Sequence, residues 1–134
     1  MKYFSLIILY ILLPIICHAE TELEAVAITI SAEASGEGQA GIYAVACVIA
    51  NRAKKYNKSP FQIVTQKNQF YGYTAKNRLK RYAEVKEYSD LLAKNIMSLN
   101  DTTKGALYFR TEKERLFSWC KVFCVKIGKH LFYK

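Results

Sequence analysis

Between Glu37 and Arg52 the chain runs from Gly38 to Asn51 without one charged side chain. This stretch predicts a helix from about Glu37 to Tyr56, apolar on nearly all sides until its last turns. A helix of that kind is stable in water only when other elements cover it, so it has to be central to a domain. Ile42, Val45, Val48 and Ile49 would share the interior with Ala40, Ala44, Ala46 and Ala50, whose small side chains allow close packing. Asn51-Arg52 marks the expected emergence of the helix into water.

Ahead of it, Leu23, Val26, Ala27 and Ile30 recur at helical spacing, which predicts an amphipathic helix over Glu24–Ser35. Gly36 breaks it. At ~100° per residue, Glu33 falls almost over Val26 and near Ile30, on the face that is expected to be buried. A buried carboxylate is costly to ionise, so its pKa should rise, which suits a general acid working near neutral pH. A cap or a buried ion pair at a helix end accounts for the same residues, since structural pairs also shift pKa values. Glycoside cleavage needs a proton donor, and most hydrolases add a second carboxylate. Glu37 stands four residues after Glu33, but with Gly36 between them their separation is left open.

The first residues read as a leader. Met1-Lys2 is basic, Tyr3 to Cys17 is apolar apart from Ser5 and Pro14, and Cys17-His18-Ala19 presents small residues where a signal peptidase inspects the chain. Residues 1–19 are therefore expected to be a signal peptide and 20–134 one small domain. The apolar run is short for a membrane span, so no stable insertion is expected after cleavage. The chain has 20 basic and 11 acidic residues, a net charge of +9. For an exported protein this suggests an anionic partner, such as a cell wall, a membrane surface or nucleic acid, and plain solubility accounts for the same charge. Cys17 leaves with the leader. Cys47 has the setting of a small core residue, and Cys120 and Cys124 could bridge in an oxidising compartment.

Further along, Ser59-Pro60 signals a short helix carrying Phe61, Ile63 and Val64. Gln66-Lys67-Asn68-Gln69 is a polar connection into Phe70-Tyr71-Gly72-Tyr73, where amides and rings suit either a carbohydrate surface or a lid over the core. A third long helix is expected from about Arg81 to Leu99, with Val85, Tyr88, Leu92, Ile96 and Leu99 as its apolar stripe. Ala106–Phe109 and Val122–Ile127 are rich in strand formers, and Gly128-Lys129 can turn the chain into a hairpin with His130–Tyr133. The domain thus reads as α+β, mainly helical with a small C-terminal antiparallel β element.

His130 is the only histidine after the leader, and with Cys120 and Cys124 it gives three ligands of the four that structural zinc takes. No metal and no cofactor are expected. Glycine loops for phosphate are missing, and Asn51-Arg52-Ala53-Lys54-Lys55 is too short a basic cluster to argue for nucleic acid.

Five segments in order resemble the spore cortex-lytic cell wall hydrolase family. They are Glu33-Ala34-Ser35-Gly36-Glu37; Gly38-Gln39 with Val45–Arg52; Phe61–Val64 with Gln69-Phe70; Gly105–Phe109; and Ile127–Tyr133. The resemblance implies a lysozyme-like fold acting on peptidoglycan glycan strands between N-acetylmuramic acid and N-acetylglucosamine. By its similarity to lytic transglycosylases, Glu33 would be the single catalytic acid and base, closing the muramic 6-hydroxyl onto C1. The resemblance further implies that Gln69, Phe70 and Tyr108 line the glycan groove, that His130 and Tyr133 buttress it, and that Glu37 contributes beside the acid or at the helix start. An exported monomer, periplasmic or in the cell wall or extracellular space, is expected. The alternatives are a hydrolytic muramidase using Glu33 with Glu37, and a non-catalytic wall-binding protein. Ser35 departs from the arginine common in the family, and Tyr71–Tyr88 matches no family pattern.

Overall fold

The computed structural model describes residues 20–134; the leader expected at 1–19 lies outside the described residues. Helix α1 covers Glu22–Glu33 and opens on a capping box. Thr21 Oγ1 accepts the Glu24 N–H, and the Glu24 carboxylate accepts the Thr21 N–H, so two donors without helical partners are satisfied. Both ends lie two residues before the expected Glu24–Ser35. Gly36 and Gly38 follow with φ of 85° and 70°, and the turn between helices needs this left-handed backbone.

Helix α1 is not amphipathic in its second half: every residue from Ala25 to Ala32 is buried. Its polar members stay inside because each bonds the preceding turn. Thr29 Oγ1 donates to Ala25 O at 2.8 Å, and Ser31 Oγ to Ala27 O at 2.9 Å.

Helix α2, Gly38–Tyr56, is the expected central helix and is buried along Ala44–Ala50. It differs from expectation at both ends. Ala40 is exposed because it belongs to the first turn, before the helix enters the core. Arg52 is only 6% exposed, so the helix does not emerge there. Asn51 Nδ2 is drawn in as well, donating to Asp101 Oδ2, Thr103 Oγ1 and Ala106 O at 3.1–3.3 Å. Water is reached at Lys54-Lys55, where positive charge suits a helix C-terminus.

Helix α3, Pro60–Val64, carries the expected serine cap, with Ser59 and Gln62 forming a second capping box. A 3₁₀ turn, Tyr71–Thr74, leads to α4, Arg78–Lys94, which leaves helical geometry at Val85. The predicted third helix thus starts earlier than Arg81 and stops at Asn95, whose Nδ2 donates to Leu91 O at 2.8 Å. The remainder of the predicted stripe becomes a second 3₁₀ turn, Ile96–Ser98. Helix α4 packs chiefly along α1.

The tail forms three strands, β1 Tyr108–Thr111, β2 Phe123–Ile127 and β3 His130–Tyr133, in the order β1-β3-β2 and all antiparallel. Strand β1 starts two residues after the predicted Ala106, since Ala106 and Leu107 are consumed in burial. Phe132 on the central strand is fully buried and packs with Ala44 and Val48 of α2, joining the sheet to the helices. This is the expected α+β architecture. Among the described residues no helix is long and apolar enough to cross a membrane. Cys47, Cys120 and Cys124 are free thiols, and Cys47 sits in the core.

Candidate active site

A cleft of about 1410 Å³ opens where the C-terminal end of α1, the Tyr71–Thr74 turn, the end of α2 and the sheet meet. Glu33, Gly72, Arg52, Gln69, Tyr108 and His130 all contribute to its lining. Glu33 is the last residue of α1, so its side chain leaves the helix partly buried. Burial pushes its carboxyl above the ordinary range, the Gly72 N–H opposes this, Glu114 adds to the rise, and Arg81 opposes it.

The Gly72 N–H donates to Glu33 Oε1 at 2.5 Å, and Oε2 has no hydrogen-bond partner among the described residues. The oxygens are thus inequivalent: one is fixed by the backbone, the other is not. Residue 72 has to be glycine, because a Cβ there would lie 2.9 Å from Glu33 Cγ and 3.0 Å from Glu33 N. Arg81 Nη1 donates to Ala32 O at 2.7 Å, holding the start of α4 against the end of α1 beside the acid.

Arg52 is the largest departure from the sequence reading. Its Nη2 donates to Gln69 Oε1, and its guanidinium lies 5.2 Å from the Phe70 ring centroid and 5.8 Å from that of Tyr108. It thereby fixes three of the predicted groove residues around one buried cation. Gln69 and Tyr108 reach the lining; Phe70 is buried beneath it, against Phe109 at 6.4 Å.

His130 lines the cleft with its ring edge-on to Phe109, centroids 5.1 Å apart. Burial lowers its pKa, against the pull of Glu37 and Glu114, so the neutral ring is favoured. Nδ1 has no partner among the described residues, and the ring's hold comes from aromatic packing. Tyr133 lies outside the lining and accepts from Arg110 Nη2 at 2.9 Å, supporting the sheet from behind.

Glu37 also lies outside the lining. It accepts the Lys129 N–H at 2.6 Å, tying the start of α2 to the β2–β3 turn. Gly128 makes room for it, at φ 58° and with no space for a Cβ. The second carboxylate that does line the cleft is Glu114, just after β1, with Oε2 accepting the Thr111 N–H. Sequence reading missed Glu114, Arg52, Gly72 and Arg81. Arg52 carried a signal, as the first charge after an uncharged helix; Glu114 carried none. Among the described residues no three His, Cys, Asp or Glu side chains gather as a metal site.

Among curated proteins none matches the chain. Two solved structures share its fold. The catalytic domain of the germination-specific lytic transglycosylase SleB from Bacillus anthracis is 24% identical with a TM-score of 0.68, over 88% of this chain and 98% of that one. The catalytic domain of the Bacillus cereus SleB protein is 22% identical with a TM-score of 0.65, over 87% and 91%. Residues 36–133 match the Cell Wall Hydrolase family profile, which opens just after Glu33. That match takes in α2, the cleft wall and the whole sheet, and the chain belongs to the Cell Wall Hydrolase family.

Proposed function

We propose that this cell wall hydrolase is a lytic transglycosylase, exported by way of the leader at 1–19 and acting as a monomer in the periplasm or wall. It cleaves the bond between N-acetylmuramic acid and N-acetylglucosamine, with Glu33 as the one acid and base. The carrying observation is the state of Glu33: partly buried at a helix end, its carboxyl pKa raised by that burial, one oxygen held by the Gly72 N–H, and lining a cleft of about 1410 Å³.

In the first step the Glu33 proton passes to the glycosidic oxygen, and the N-acetylglucosamine side leaves with its 4-hydroxyl restored. The carboxylate then takes the proton from the muramic 6-hydroxyl as O6 bonds to C1. The product is a 1,6-anhydro end, no water is consumed, and Glu33 is protonated again. Neutral His130 and the cationic Arg52 frame add no competing proton donor near neutral pH. Gln69, Tyr108 and His130 contact the glycan, while Phe70 and Tyr133 hold the lining from behind.

Glu37, bonded to the Lys129 N–H outside the lining, gives the muramidase alternative little support. Glu114, in the cleft, keeps a hydrolytic route open by a different partner. Mass spectrometry of fragments released from purified peptidoglycan separates the two. Anhydro-muramic ends are expected; reducing ends, one water heavier, would assign a hydrolytic muramidase instead.

A further inference from the structure

Strands β1 and β2 both pair antiparallel with β3 and so run parallel to each other, and residues 112–122 must cross back from the His130 end of the sheet to its Tyr133 end. This crossing carries Phe117 and Trp119, whose rings stack with centroids 4.6 Å apart and planes within 7°. Both are exposed, at 43% and 51%, and both line the cleft that holds Glu33. Leaving two large rings in water forfeits the burial that places most aromatics inside. Though stacked on each other, both rings remain accessible from the cleft.

The crossing is fixed at both ends. Arg110 Nη1 donates to Glu114 O at 3.0 Å, and Cys120 N–H to Phe117 O at 3.0 Å. Lys121 and Val122 both donate to Lys134 O, at 3.2 and 3.1 Å, and the Cys120 side chain is buried below. The rings are therefore presented by an ordered segment, and little conformational entropy remains to be lost on binding.

We infer that Phe117 and Trp119 form a stacking subsite for the pyranose face of one N-acetylated hexosamine of the strand whose bond Glu33 cleaves. This inference rests on the glycan-cleaving function proposed above. A pyranose ring has an apolar face of C–H groups and polar edges, and it is read by an aromatic plane with hydrogen-bonding groups beside it. The same cleft supplies those groups from Gln66, Asn68 and Gln69. Lys113, Arg115 and Lys121 nearby would also suit an anionic membrane. Continuity of the rings with the cleft that holds the acid decides for the sugar.

Trp119 is the only tryptophan of the chain, so its emission reports the subsite directly. The Glu33→Gln protein, which should bind without cleaving, is titrated with soluble glycan strands stripped of peptide. A saturable blue shift is expected. Phe117→Ala should weaken that binding about tenfold, the effect of one lost ring contact of good geometry. In otherwise unaltered enzyme, Trp119→Ala should raise the half-saturating peptidoglycan concentration about tenfold, with the maximal rate within about twofold. Trp119→Phe, which keeps a ring, should recover most of the loss.

Emission that stays constant through saturation overturns the subsite, as does a Trp119→Ala enzyme that saturates like the parent. A shift produced by phosphatidylglycerol vesicles but not by glycan overturns it in favour of a membrane surface. The subsite and the proposed chemistry fail separately. Lysis with silent Trp119 emission removes only the subsite. A saturable shift, together with an unaltered enzyme that releases no fragment from peptidoglycan, removes only the catalysis.

Discussion

Helices α1 and α2 and the sheet side of the cleft handle buried polar groups in opposite ways. In α1, Thr29 and Ser31 close their bonds within the preceding turn, and at the end of α2 Asn51 finds three acceptors. Across the cleft, Arg52 Nε, Arg110 Nε and His130 Nδ1 are buried with no partner among the described residues; outside this group only Ser89 Oγ, in α4, shares that state. Arg52 belongs to α2 but faces the sheet residue Tyr108. A region whose polar groups are satisfied locally is rigid and resists rearrangement. It holds the partly buried Glu33 at the end of α1 in a fixed position, as the proposed acid role requires. The opposite wall exposes rings, amides and cations, which suits recognition of a long polar ligand.

The most severe way to break this division is Glu33→Gln. It keeps the shape and removes the proton, so lysis of purified wall should fall by about 10³-fold or more. If the helical wall supplies only structure, lysis will survive. The same substitution has a thermodynamic signature of definite sign. Burial raises the folded pKa of Glu33 above its unfolded value. The carboxyl therefore supports the fold fully below the unfolded pKa, and that support is lost as pH rises through the folded pKa. Glu33→Gln should raise Tm at neutral pH and leave it nearly unchanged in acid.

Phe132→Ala tests the seam between the two regions. Phe132 is fully buried between the sheet and α2, and its loss should cost about 3–5 kcal/mol in denaturant unfolding. Gly72→Ala attacks one hydrogen bond. With Glu33 Cγ at 2.9 Å from the new Cβ, the carboxyl has to move, and a displacement of that order should cut the rate by about 10²-fold. Tm is expected to change far less than in Phe132→Ala. The smallest effect belongs to Glu114→Gln. Removing that negative charge takes away one cause of the raised Glu33 pKa. The basic limb of the pH–rate profile should then shift to lower pH, with the maximum rate within about threefold.

The helical region was legible in the sequence because its signals are local. The uncharged run before Arg52, the Ser59-Pro60 start and the Gly36 break each fix an element within a few residues. The partly buried place of Glu33 and its raised pKa were legible for the same reason, from the spacing of Val26 and Ile30, whereas its catalytic role was implied by the family resemblance alone. What failed depended on distant partners. Arg52 stays inside because Gln69, Phe70 and Tyr108 surround it. Gly72 meets Glu33 only through the fold. Glu37 matches the family pattern as readily as Glu33, yet the β2–β3 turn takes its carboxylate. The predicted third helix misjudged both ends, because the apolar spacing continues through Ile96 after Asn95 has ended the helix.

Proton donation by Glu33 requires the folded protein to keep its carboxyl protonated beyond the ordinary range. Carbon-13 NMR of its side-chain carboxyl, followed against pH in the folded enzyme, measures this directly. The expected midpoint lies above that of an exposed glutamate and coincides with the basic limb of the lysis rate. A midpoint at or below the exposed value would contradict proton donation by Glu33.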